Sequence, residues 1–200
     1  MKRFIFLLAA LLVMTTAKAQ IYDGITQPTT YRILLPVTQS LDGGNPSVAP
    51  FIGYKYQPAK WFSVTPVLQY NINNEAFIPQ IWLNFNVKQK FYVLSRSIYN
   101  ARTNLYSHTL SATMKLPLGF MIDGTWDNLY NGRRFAETDR LQFVAGYAHK
   151  WFVVNAGYSM RNHKGFIANV RFKITEYNWL QLKYDGGLNA ITVQAVLQFN

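Results

Sequence analysis

From Tyr31 onward the chain sets apolar side chains against polar ones at a period of two, not 3.6, which marks half-buried strands and not amphipathic helices. In Phe62–Asn71, the residues Phe62, Val64, Pro66, Leu68 and Tyr70 alternate with Ser63, Thr65, Val67, Gln69 and Asn71. In Pro79–Lys88, Ile81, Leu83, Phe85 and Val87 oppose Gln80, Trp82, Asn84, Asn86 and Lys88. The same alternation predicts strands over Tyr106–Leu116, Phe120–Asp127, Leu141–Ala148, Phe152–Arg161, Phe166–Thr175 and Ile191–Phe199. Weaker matches cover Tyr31–Thr38, Pro50–Gln57, Phe91–Tyr99 and Trp179–Asp185. Phe91–Tyr99 does not declare which of its faces is apolar, so Arg96 is given no side.

This pattern predicts an all-β fold, a transmembrane antiparallel β-barrel of about twelve strands, with ten as the other count. Segments of about ten residues with opposite faces are what a strand crossing a bilayer requires. The connections alternate in length. Those near 39–48, 71–76, 100–104, 128–139, 162–165 and 186–189 are mostly the longer ones, while Pro58–Lys60, Lys88–Lys90, Pro117–Leu118, Lys150 and Glu176–Asn178 are tight. Outer-membrane barrels keep their short turns in the periplasm, so both termini are expected there. Trp61, Phe91, Trp151 and Trp179 open strands beside tight turns, and Trp126 lies at the opposite end with Tyr70, Phe77, Tyr106, Tyr158 and Tyr184. Amphipathic rings favour the head-group level, so Trp61, Trp126, Trp151 and Trp179 are expected as interface aromatics.

On these residues the chain resembles Gram-negative outer-membrane β-barrels from Tyr31 to Phe199. The closing strand, with Val193, Ala195, Leu197 and Phe199, resembles the terminal assembly signal of such barrels, except that Asn200 follows the aromatic residue. The architecture is similar to that of the small twelve-stranded porins that pass acidic oligosaccharides. The resemblance implies outer-membrane lipid and the barrel-assembly machinery as partners. A soluble β-sandwich or lipocalin-like barrel is the structural alternative. Pro36, Pro66 and Pro79 count against both readings, because a closed sheet has no free edge for them. Pro36, Pro50 and Pro79 lie toward a rim, where bulges are common; Pro66 does not.

Composition adds a leader. Lys2 and Arg3 precede an apolar run from Phe4 to Met14, followed by Ala17-Lys18-Ala19, so residues 1–19 read as a signal peptide. Residues 20–30 then form a periplasmic or plug segment, and 31–200 the barrel. Cysteine is absent, which excludes disulfides and thiol metal sites. The formal net charge is +11, of which Lys2, Arg3 and Lys18 belong to the leader. For an exported, aromatic-rich chain this excess points away from nucleic acid and towards a charged lumen.

The polar faces collect Arg32, Lys55, Lys88, Lys115, Arg161, Arg171, Lys173 and Lys183 against Asp123, Asp127 and Asp185. One expectation is an electrostatic filter that concentrates small anionic solutes, because a low-dielectric wall of one sign attracts counter-ions. The plainer one is salt bridging across strands in a wetted interior. Small residues such as Gly53, Ser63, Ser107, Ser111, Gly146, Gly157 and Ser159 argue for space inside. An acyl hydrolase would need a nucleophile, a base and an orienter. The residues two positions after His108, His149 and His163 are Leu110, Trp151 and Gly165, so no His-x-Ser pair exists. No enzyme, cofactor or metal is expected. The leading reading is a small outer-membrane channel; the second is a sealed barrel that presents loops such as 128–139, with Arg133, Arg134 and Phe135, to a partner.

Overall fold

The structure, a computed structural model, describes residues 31–88, 90–128, 139–175 and 178–199. The leader, the 20–30 segment and Arg133, Arg134 and Phe135 lie outside the described residues. The strands are β1 (Tyr31–Ser40), β2 (Ser47–Val48), β3 (Phe51–Tyr54), β4 (Tyr56–Ala59), β5 (Phe62–Asn71), β6 (Ala76–Val87) and β7 (Phe91–Asn100). They continue as β8 (Leu105–Lys115), β9 (Phe120–Asn128), β10 (Asp139–Ala148), β11 (Phe152–Arg161), β12 (Gly165–Lys173), β13 (Trp179–Asp185) and β14 (Ala190–Phe199). Sequence neighbours pair antiparallel, and β14 pairs with β1 from Tyr31 opposite Phe199 to Ser40 opposite Ala190. The sheet therefore closes on itself. Along this seam the outward-facing Ile33 and Leu35 pack against Leu197 and Ala195.

Twelve staves make the barrel, because β2, β3 and β4 are successive pieces of one stave between β1 and β5. Proline explains why that stave is broken. Pro36 accepts the Ala49 N–H through its carbonyl, so its nitrogen faces the same neighbour, at the gap between β2 and β3. On the other side, Tyr70 and Ile72 send their N–H groups to the carbonyls of Pro50 and Val48, both at 2.9 Å. Even-numbered residues of β5 thus face the broken stave, and Pro66 stands where β3 gives way to β4. Each proline withholds a ladder donor, and each does so at a gap. A register shift between Tyr56 and Ala59 adds a bulge in β4. Pro79 lies one step past the end of the β6–β7 ladder, which stops at Gln80 opposite Ile98.

The wall has two faces of opposite character. Ile52, Leu68, Ile81, Leu110, Ile122 and Phe143 are exposed on the outside, whereas Ser63, Thr65, Asn84, Thr109, Gln142 and Ser159 are buried on the inside. β7 takes its side from its neighbours: Tyr92, Leu94 and Arg96 line the interior, which leaves Ser95 and Ser97 on the outer wall. At the rim that carries the tight turns and the start of β1, the chain turns through Pro117–Gly119 with Leu118 at φ 60°. Gly119 has φ +86°, and a Cβ there would lie 2.6 Å from the Ala148 carbonyl oxygen, so this turn requires glycine.

Candidate channel lumen

Inside the barrel is a cavity of about 640 Å³ that reaches from Trp179 at the short-turn rim to Leu188 at the long-loop rim. Residues that pair across neighbouring strands share a face, so the interior is built in rows. One row runs Thr65, Trp82, Arg96, Thr109, Asp127 and Arg140 across β5 to β10. Because strands in a barrel tilt, such a row climbs from mid-wall to the long-loop rim, where β9 ends and β10 begins.

At that rim Arg140 holds two carboxylates. Its Nη1 donates to Asp185 Oδ1 and Oδ2 at 3.0 and 2.8 Å, and its Nη2 donates to Asp127 Oδ2 at 3.2 Å. Its Nε also donates to both Asp127 oxygens at 3.3 Å. Gln142 Nε2 donates to Asp127 at 3.2 Å, and Lys183 Nζ lies 3.1 Å from Asp185. Arg140, Asp127 and Asp185 are all buried. Asp123, lower on β9, accepts from the Thr113 and Thr125 hydroxyls at 2.6 and 3.0 Å.

Towards the short-turn rim the cations are seated on aromatic faces. Arg96 lies 5.8 Å from the Trp82 ring centroid, Lys115 4.7 Å from Tyr92, Arg171 4.7 Å from Trp179 and Lys173 6.0 Å from Trp151. An aromatic face steadies a cation through its quadrupole. Arg32 and Arg96 line the same cavity, and Arg32 Nε and Nη2 and Arg96 Nε are buried with no hydrogen-bond partner among the described residues. Lys55 is buried on this inner side too.

Several expected positions need correction. Trp179 is not an outer-wall interface ring; it faces the lumen beneath Arg171. Lys88 stands exposed in a turn at φ 50°, off the cavity wall. Arg161 takes φ 67° at the end of β11, and its half-exposed guanidinium pairs with Asp139 at the rim rather than lining the lumen. Asp139 is also held by the Trp126 indole N–H at 3.1 Å. Trp61 packs on Phe62 and Phe85, and Trp151 is exposed at the cavity mouth. Gly146 and Gly157 have a steric reason besides lumen space: a Cβ at Gly157 would lie 1.9 Å from the Phe143 carbonyl oxygen, and one at Gly146 2.6 Å from that of Val154.

Arg96 and Arg140 are the interior cations that the alternation left unassigned. Arg140 was legible by extending the parity of Gln142 back one step. Of the histidines, His108 is on the outer wall, where its Nδ1 lies 3.2 Å from Ser97 Oγ across the β7–β8 ladder. This meeting is between strands, so spacing along one strand does not reveal it.

No protein-family model and no curated protein sequence matches the chain. Solved structures do. The KdgM porin aligns with a TM-score of 0.57 at 7% identity, covering 84% of this chain and 98% of that one. The Acinetobacter baumannii outer membrane protein Omp33 aligns with a TM-score of 0.52 at 11% identity, over 88% of this chain and 100% of its own. The NanC porin aligns with a TM-score of 0.51 at 10% identity, over 85% and 99%. With the closed twelve-stave sheet and its two-faced wall, these alignments give the chain the fold of the small outer-membrane porins.

Proposed function

We propose that the protein is a passive channel in the outer membrane of a Gram-negative cell, selective for small anionic solutes. The observation that carries this reading is the seating of the lumen's charges. Asp127 and Asp185 are occupied by Arg140 at one rim, while among the described residues Arg32, Arg96, Arg171 and Lys173 line the rest of the cavity against Asp123 alone. A wall with an excess of positive charge and poor screening raises the local anion concentration. The apolar outer wall suits lipid, and the short turns beside both ends of the barrel support a periplasmic side for the termini.

KdgM has been solved as a porin in complex with disordered oligogalacturonate. An acidic sugar chain is one solute whose carboxylates would suit this lumen. Carboxylate recognition by guanidinium is strong because the pairing is planar and bidentate. Reconstitution in a planar bilayer under a salt gradient is the test. We expect a reversal potential of anionic sign, and the double variant R171E/K173E should move it towards cations. A silent wild-type barrel, or one with cation preference, would overturn the reading.

A further inference from the structure

We infer that Arg140 is the selectivity- and bore-determining residue of the lumen: it ties Asp127 to Asp185 across the interior, narrows the path at the long-loop rim and withdraws both carboxylates from the solute. This inference rests on the channel reading above.

The tie is not a bridge between neighbours. Asp127 is on β9 beside Arg140, but Asp185 is on β13, with β11 and β12 in between. A link from β10 to β13 spans a quarter of a twelve-stave circle, so it must run as a chord through the lumen and cannot follow the wall. The three side chains are nearly solvent-free, with side-chain exposures of 4% for Arg140 and 6% for each aspartate. Gln142 secures Asp127 from β10, while Lys183 and the Leu188 N–H secure Asp185 from β13 and its following loop. Each anchor therefore has a second partner on its own strand or the next one, and among the described residues Arg140 alone bonds to both.

The arrangement has an electrostatic consequence as well as a steric one. The guanidinium offsets one of its two carboxylates and Lys183 beside Asp185 offsets the other, so the described charges at this rim cancel. The long-loop half of the lumen is thus nearly neutral, and the charge seen by a solute is set by the cations of the other half. Removing Arg140 releases two anions into the path. Removing the anions releases Arg140. The two changes widen the bore alike but alter selectivity in opposite senses, which separates a lumen tie from a mere structural brace.

The experiment is single-channel recording of the full chain in planar bilayers, with heat-modifiable migration on gels as the check of folding. R140Q should raise conductance roughly twofold and lower the anion-to-cation permeability ratio by roughly threefold, the factor one charge exerts at about 6 Å in water. D127N/D185N should raise conductance similarly and increase that ratio. Should R140Q fail to fold because its carboxylates lie unpaired, D127N/R140Q/D185N leaves no charge unpaired and should still widen the bore. If the wild type conducts and the folded variants conduct equally, the tie is overturned and the channel stands. If the wild type is silent, the channel reading fails and the inference, which rests on it, fails with it.

Discussion

A barrel wall leaves little room at particular residues, and Gly157 shows where. It faces inwards on β11 opposite Val144, and any Cβ there would strike the backbone of β10 at Phe143 and Val144. The neighbour is main chain, so no rotamer change relieves it. Gly157→Val should abolish the heat-modifiable folded band, whereas Ser159→Ala, on the same strand and face, should retain it. Folding into detergent micelles followed by gel migration reads the difference. Parity alone placed Arg32, Lys55, Lys115, Arg171, Lys173 and Lys183 on the inner side, because side chains alternate strictly along a strand. It fails where the strand stops. Lys88 and Arg161 leave the β region at φ 50° and 67°, so their side chains no longer obey the count. Trp179 was misjudged for a different reason. Its parity with Gln181, Lys183 and Asp185 points inwards, but its position beside a tight turn suits a girdle equally well.

Elements were legible in proportion to how cleanly their two faces differ. The strands with unmixed alternation are found within a few residues of their predicted bounds, while the Pro50–Gln57 segment falls across two pieces, β3 and β4, with a third, β2, ahead of it. The cause lies on its neighbours, in Pro36 and Pro66, which a reading of that segment by itself cannot include. Pro66 faces outwards and opposes Ile81 on its intact side. Only the hydrogen bond towards the broken stave is missing there. Pro66→Val restores that donor opposite Tyr54 and suits an extended backbone. It should therefore stabilise the barrel by about 1 kcal/mol, the usual net value of one hydrogen bond. Urea unfolding in lipid vesicles measures this as a higher midpoint; a lower one would mean that the break between β3 and β4 is needed by the fold. β7 was undecided for a reason visible in the structure. Its inner face carries Tyr92 and Leu94 and its outer face Ser95 and Ser97, the reverse of the general pattern.

Across the whole molecule the charges are distributed unevenly along the pore axis. By strand direction, Arg32, Lys55, Lys115, Arg171 and Lys173 occupy the short-turn half with Asp123, while Arg140 and Lys183 occupy the long-loop half with Asp127 and Asp185. Among the described residues one half is strongly positive and the other is balanced. The basic half is legible from strand direction, whereas the balance in the other half is not, since it is achieved by side chains brought together only when β10 and β13 face the same cavity. An axially asymmetric field makes anions accumulate at one mouth, so conductance should depend on the sign of the applied voltage. With channels inserted in one orientation, current–voltage curves at about 0.1 M salt should rectify, because the screening length there is about 10 Å and comparable to the bore. At 1 M salt the screening length falls to about 3 Å, and the curves should become symmetric. Rectification that persists at high salt would mean that the asymmetry is steric. In R171E/K173E the low-salt rectification should weaken, since those two cations stand at the mouth where the anions accumulate, above Trp179 and Trp151.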